Sequence, residues 1–284
     1  MVTPFDEKKK VDEPALKSLI KFLVLGGVNA IVPCGSTGEA ATLNLEEYEL
    51  VVRITVAEVD GKIPVIAGAG SNDTAKAIHL SQLAKNAGAD ALLHVTPYYN
   101  KPTNDGLVAH FKAIAKSCDL PIIIYNVPGR TGLNMTAETT LRIAKEIPQV
   151  VGIKEASGNY PQMMEIIKEA SGDFSILSGD DVFTLGLIAA GGHGCISVVA
   201  NEVPREFSKL VAAALDGDFK KARDLHYKLF DLMNVNFIET NPIPVKTALF
   251  MMGKIKESFR LPLIAMSEKN KEVLRRVLAN LKLI

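Results

Sequence analysis

The chain has 284 residues, enough for one large α/β domain or two ordinary ones, with 48% apolar and 23% charged residues, as in a packed globular protein. Its formal net charge is +0, and it has no basic stripe or polybasic arm that would point to nucleic acid or anionic lipid. No apolar run approaches the roughly 18 residues of a spanning helix, and the opening MVTPFDEKKK places its charges in the wrong order for a signal peptide.

Along the chain one pattern recurs: a helical period, a glycine or polar stop, then a short apolar run. FLVLGGVNAIVPC, LAKNAGADALLHV and LIAAGGHGCISV follow it, and RIAKEIPQVVGIK varies it without the glycine. The glycines suit helix C-caps, which need a left-handed backbone. The apolar runs do not alternate, so they read as parallel strands covered on both faces. A remnant strand is expected at Val2–Thr3, with further strands near 30–32, 64–67, 91–95, 121–125, 150–154, 175–178 and 194–198. Helices fall between them. The clearest is NLEEYELVVRITVAEV, with Asn44 as N-cap and acidic residues in its first turn.

Strands spaced by roughly 25 to 30 residues are the size of βα units. They predict a (β/α)8 barrel over residues 1–203. Residues 204–284 read as the last barrel helix and a C-terminal helical extension. The alternative is a doubly wound sheet, but no G-x-G-x-x-G follows the first strand. The three cysteines, Cys34, Cys118 and Cys195, are far apart and lack C-x-x-C spacing, which suits reduced thiols in a cytosolic chain.

In such a barrel the chemistry sits at the carboxyl ends of the strands. CGSTGE, TPYYNKP, YNVPGRTG and Lys154 in VVGIKEASG all fall there. Period-2 alternation puts Val150, Gly152 and Lys154 on one face, with Gly152 expected to leave room beside the lysine stem. Loss of hydration disfavours an ammonium, and a neutral amine can form a Schiff base with a ketone. A lone strand-end lysine usually reaches solvent; the surrounding polar segments favour the chemical reading here. Tyr125 can both give and take a proton, although a single tyrosine is more often a core residue with a satisfied hydroxyl. Gly35–Glu39 offers two hydroxyls and backbone N–H groups that could cradle a small anion, or only an ordinary turn. Arg130 has the planar fork for a carboxylate, although most surface arginines serve no such role. Tyr98 and Tyr99 could simply pack. The five histidines show no metal spacing, AAGGHG reads more readily as a helix cap than a phosphate loop, and no G-x-S-x-G elbow appears.

Taken together, AIVPCGSTGE, VTPYYNKP, IIIYNVPGRTG, GIKEASG and SGDD resemble, in order and spacing, the dihydrodipicolinate synthases. These belong to the pyruvate-dependent class I aldolase family, which includes N-acetylneuraminate lyase. The resemblance covers essentially the whole chain. It implies condensation of pyruvate with L-aspartate 4-semialdehyde, in the diaminopimelate route of lysine biosynthesis. Lys154 would form the Schiff base with pyruvate. Thr37, Tyr125 and Tyr99 would relay protons, with Tyr99 supplied by a neighbouring subunit of a homotetramer built as a dimer of dimers. A dimer is the alternative assembly. Ser36 and Thr37 would hold the pyruvate carboxylate, Arg130 that of the aldehyde, and the backbone at Gly179 and Ile196 would line the pocket. No metal or organic cofactor is implied.

Three departures from the family pattern stand out. Ser36 replaces the first of two usual threonines but keeps the hydroxyl. Feedback-sensitive members bind lysine at a subunit interface, with a histidine at the position of Leu45 and an acid at that of Lys76, while Asn72 and Tyr98 of that site remain here. Weak or absent lysine inhibition is therefore expected. Members also usually carry several residues before VTPF. A shortened first strand is expected, from truncation or a displaced start, with neighbours partly unpaired and a looser assembly. Competing readings are a pyruvate aldolase for a sugar-derived aldehyde and a non-catalytic ligand-binding barrel. Arg130 and the tyrosine pair argue against the first, since the arginine is missing from this motif in sialic acid lyases. The joint presence of Lys154, Tyr125 and Thr37 argues against the second.

Overall fold

The chain begins with helices α1 (Glu13–Leu25) and α2 (Leu45–Val59). Strands and helices then alternate: β1 (Ile66–Gly68), α3 (Thr74–Asn86), β2 (Ala91–Val95), α4 (Asn104–Ser117) and β3 (Ile122–Asn126). Two helices follow, α5 (Pro128–Thr131) and α6 (Ala137–Glu146), then β4 (Val150–Glu155), α7 (Tyr160–Glu169), β5 (Ser175–Ser178), α8 (Thr184–Ala189) and β6 (Gly194–Cys195). The remainder is helical: α9 (Pro204–Leu215), α10 (Phe219–Val235), α11 (Ile243–Met251) and α12 (Glu268–Asn280). The structure, a computed structural model, describes all 284 residues. They form two compact units, Ile66–Ser197 and Met1–Val65 with Val198–Ile284.

The unit of residues 66–197 is built on one six-stranded, all-parallel sheet, with its strands in sequence order from β1 to β6. Successive helices pack as neighbours along it, α3 on α4, α4 on α6, α6 on α7 and α7 on α8. Every residue of β3 is buried, which explains its unbroken apolar run. Strand β4 contains an irregularity: Ile122 and Ile123 face Val150 and Gly152, so Val151 is the extra residue. Val151 is accordingly exposed, contrary to its expected burial.

The other unit is mainly helical. Helix α10 packs on α9 and α12, α11 on α12, and α1 on α2 and α9. Helix α11 is apolar almost all round and is buried from Ile243 to Leu249. Asn44 caps α2 as expected, in a reciprocal capping box with Glu47. Gly27 (φ 82°), Gly88 (φ 91°) and Gly191 (φ 108°) take the left-handed backbone expected after their helices.

Two expected strands do not form as such. Residues 30–32 contribute only a single parallel bridge, Ile31 with Val65, in which Ile31 N donates to the Pro64 carbonyl at 3.0 Å. Pro33 and Pro64 lack N–H groups, so the ladder cannot extend on either side. The expected strand at 64–67 therefore starts at Ile66. Val2–Thr3 joins no ladder either: Val2 N donates to the Asn201 side chain at 3.0 Å, and the Thr3 hydroxyl to the Gly38 carbonyl at 2.7 Å. No helix is long and apolar enough to cross a membrane.

Candidate active site

Lys154 and Tyr125 are opposite each other in the β3–β4 ladder, near the carboxyl ends of their strands. The lysine is half-buried, and its Nζ lies 4.3 Å from the centroid of the Tyr125 ring, a cation–π contact. Room for the lysine stem comes from a different glycine than the one expected. A Cβ on Gly179, just after β5, would lie 3.0 Å from Lys154 Cε, 3.2 Å from its Cγ and 2.5 Å from Ala156 Cβ. Gly152 instead lets two backbones approach, since its Cβ would fall 2.6 Å from the Ser175 carbonyl oxygen. Gly179 N donates to the Glu155 carbonyl at 2.8 Å, and Ile196 N to that of Ser178 at 2.9 Å. The backbone at Gly179 and Ile196 thus continues the strand ends around the lysine.

Arg130 is exposed on the short helix α5, whose first residue, Pro128, suits a helix start. Tyr99 is 90% exposed and held in a left-handed conformation at φ 67°. Asn100 braces this loop by donating its side-chain amide to the Asn72 carbonyl at 2.8 Å. Asp180 of SGDD shapes its own turn: its carboxylate accepts from Val182 N at 3.1 Å, and the Ser178 hydroxyl donates to its carbonyl at 2.6 Å. Gly191 in AAGGHG caps α8, and His193 Nδ1 accepts from Ile176 N at 3.0 Å, which supports the capping role.

In the other unit, Gly35–Glu39 forms a single tight turn. The N–H groups of Gly38, Glu39 and Ala40 close it onto Gly35 and Ser36 carbonyls. The turn's own hydrogen bonds use three N–H groups and leave out those of Ser36 and Thr37, and Ser36 is exposed, so the groups free of the turn make a smaller anion cradle than the motif alone suggests. The Thr37 hydroxyl accepts from Asn241 Nδ2 at 3.0 Å, so it retains its own proton to donate. Beneath the turn Glu39 is buried against the ammonium of Lys246, which also lies 4.4 Å from the Phe5 ring centroid. Burial pulls the Lys246 ammonium below its ordinary value, and Glu39 opposes that pull. Burial pushes the Cys34 thiol up to about 12 and raises the Cys195 thiol well above its usual range, which favours the protonated thiol over the thiolate at both. All three cysteines are free.

Sequence reasoning missed Asn241, Lys246 and the polar cluster around Glu155. The signals were present: Glu39 and Glu155 each directly follow a motif residue inside an apolar context, and a carboxylate there needs a partner.

A parallel sheet with its polar side chains gathered at the strand ends is the architecture of an α/β enzyme. The chain belongs to the dihydrodipicolinate synthetase family, whose sequence pattern matches residues 1–281. It is 54% identical to the 4-hydroxy-tetrahydrodipicolinate synthase of Maridesulfovibrio salexigens, over 95% of this chain and 92% of that protein. It superposes on the dihydrodipicolinate synthase of Aquifex aeolicus with a TM-score of 0.97 and 49% identity, covering 100% of this chain and 96% of that one. The chloride-inhibited dihydrodipicolinate synthase of Acinetobacter baumannii, solved in complex with pyruvate, matches with a TM-score of 0.98 at 44% identity over 100% and 97%.

Proposed function

We propose that the chain condenses pyruvate with L-aspartate 4-semialdehyde, the 4-hydroxy-tetrahydrodipicolinate synthase reaction that feeds diaminopimelate and lysine. Lys154 Nζ attacks the pyruvate ketone, and loss of water gives the imine. Loss of a methyl proton then gives the enamine, whose carbon attacks the aldehyde. The amine of the second substrate closes onto the imine carbon and releases Lys154 as a free amine. Tyr125, Thr37 and Tyr99 carry the protons. Ser36 and Thr37 take the pyruvate carboxylate, Arg130 that of the aldehyde, and the Gly179 and Ile196 backbone lines the pocket.

The observation that carries this reading is the Lys154 amine over the Tyr125 ring at 4.3 Å, with Gly179 keeping space around the stem. A phenol beside the amine suits proton exchange at each imine step. The near-complete exposure of Tyr99 supports its working from a neighbouring subunit, in a cytoplasmic homotetramer arranged as a dimer of dimers. The sequential parallel sheet supports the family's eight-stranded barrel over residues 1–203, with 204–284 as its last helix and extension. The test is borohydride reduction in the presence of pyruvate. A pyruvate-derived adduct is expected on wild-type Lys154 and none on Lys154→Ala.

A further inference from the structure

The residue after the lysine, Glu155, is fully buried on the opposite face of β4. Three neutral donors surround its carboxylate. Asn126 Nδ2 lies 3.3 Å from Oε1 and 3.0 Å from Oε2, Gln162 Nε2 donates to Oε2 at 3.1 Å, and Ser157 N to Oε1 at 2.6 Å. Burying a carboxylate among neutral groups costs stability. An acceptor-only group nevertheless suits this spot, because every atom aimed at it donates.

The cluster reaches further than the strand. Asn126 faces Glu155 in the ladder just as Tyr125 faces Lys154. Asn126 Oδ1 accepts from Met135 N at 3.0 Å, and its amide donates to Asn134 Oδ1 at 2.9 Å. Asn134 Nδ2 in turn donates to Gln162 Oε1 at 2.9 Å. Glu155, Asn126, Asn134 and Gln162 therefore close a ring. It ties the strand carrying Lys154 to both ends of the segment between Asn126 and Met135, and that segment carries Arg130.

We propose that Glu155 is a positioning residue for the second substrate. It fixes the Arg130 segment relative to the Lys154–Tyr125 pair, and so sets where the aldehyde's carboxylate is held. This rests on the condensation proposed above. In Glu155→Gln the new amide nitrogen meets donors whichever way it turns, which breaks the ring without removing bulk.

The experiment measures steady-state kinetics of Glu155→Gln and Asn134→Ala, together with pyruvate trapping by borohydride. Asn134 is exposed, so its alanine variant opens the ring with the buried strand intact. The KM for L-aspartate 4-semialdehyde should rise about tenfold in Glu155→Gln and about threefold or more in Asn134→Ala. The KM for pyruvate should stay within about twofold, and the Lys154 adduct should still form. In an Arg130→Ala background neither change should raise the aldehyde KM further, because the group they position is gone. An unchanged aldehyde KM, equal rises for both substrates, or full additivity with Arg130→Ala would overturn the proposal. If Glu155→Gln does not fold, Asn134→Ala decides by the same criteria. A wild-type chain that traps no pyruvate would refute the condensation itself, a result distinct from any of these.

Discussion

Lys154 and Glu155 are consecutive residues in very different settings: the amine is half-buried against an aromatic face, and the carboxylate is sealed among amides. Strand alternation makes this possible, since neighbouring side chains leave on opposite faces. The motif made Lys154 legible, because a lysine ending an apolar strand is unusual. The sequence marks Glu155 only as a carboxylate in need of partners; which partners was not legible, because Asn126 lies on the neighbouring strand and Asn134 in the loop after it, and only the fold brings them in. The glycine that shapes the lysine's space was misassigned for a related reason. Period-2 reasoning sees within a strand, whereas the crowding partner Gly179 lies beyond the next one. Gly179→Ala should therefore push Lys154 and Ala156 apart from the new methyl. We expect kcat to fall by about tenfold or more, with the chain still folded. Wild-type kcat in that variant would show that the space at Gly179 is irrelevant to the lysine.

At the level of elements, β4 carries its extra residue at Val151, and the apolar sequence gave no sign of it because a bulge is set by the neighbouring ladder. The ladder on the other side of β4, with β5, brings Gly152 against Ser175, where the obstacle is a backbone oxygen. Gly152→Ala should lower stability by about 1–3 kcal/mol, read as an earlier denaturant midpoint. A midpoint equal to wild type would contradict the close approach. Two histidines of the sheet unit make stability depend on pH. Burial pulls His94 down to about 3 and His110 to about 4, with Asp73 partly opposing the shift at His110. Unfolded histidines take up protons near pH 6.5, while these stay neutral in the fold. Stability is thus full above about 6.5 and falls as pH drops toward 4 and then 3, by up to about 1.4 kcal/mol per pH unit for each histidine. His94→Gln should remove one proton's worth of that slope between pH 6 and pH 4 in urea melts. An unchanged slope would show that His94 is already protonated in the folded chain.

For the molecule as a whole, sequence pattern foresaw a parallel α/β sheet and a helical C-terminal region. It overestimated the early strands, where prolines at 33 and 64 leave one bridge in place of a ladder. Any assembly or feedback control would rest on surfaces, and no periodicity encodes those. Leu45 is 45% exposed with an apolar side chain, and Lys76 on α3 is an exposed cation, at the two positions where the sequence departs from feedback-sensitive members. We expect activity to persist at millimolar lysine, measured by initial rates at saturating pyruvate. Half-maximal inhibition at or below low-millimolar lysine would contradict that expectation. The central claim is that Lys154 is the nucleophile. Borohydride reduction with pyruvate followed by peptide mass mapping tests it most directly. One pyruvate-derived adduct per chain is expected, on Lys154 and lost in Lys154→Ala; an adduct on another lysine, or none at all, would mean that Lys154 is not the nucleophile.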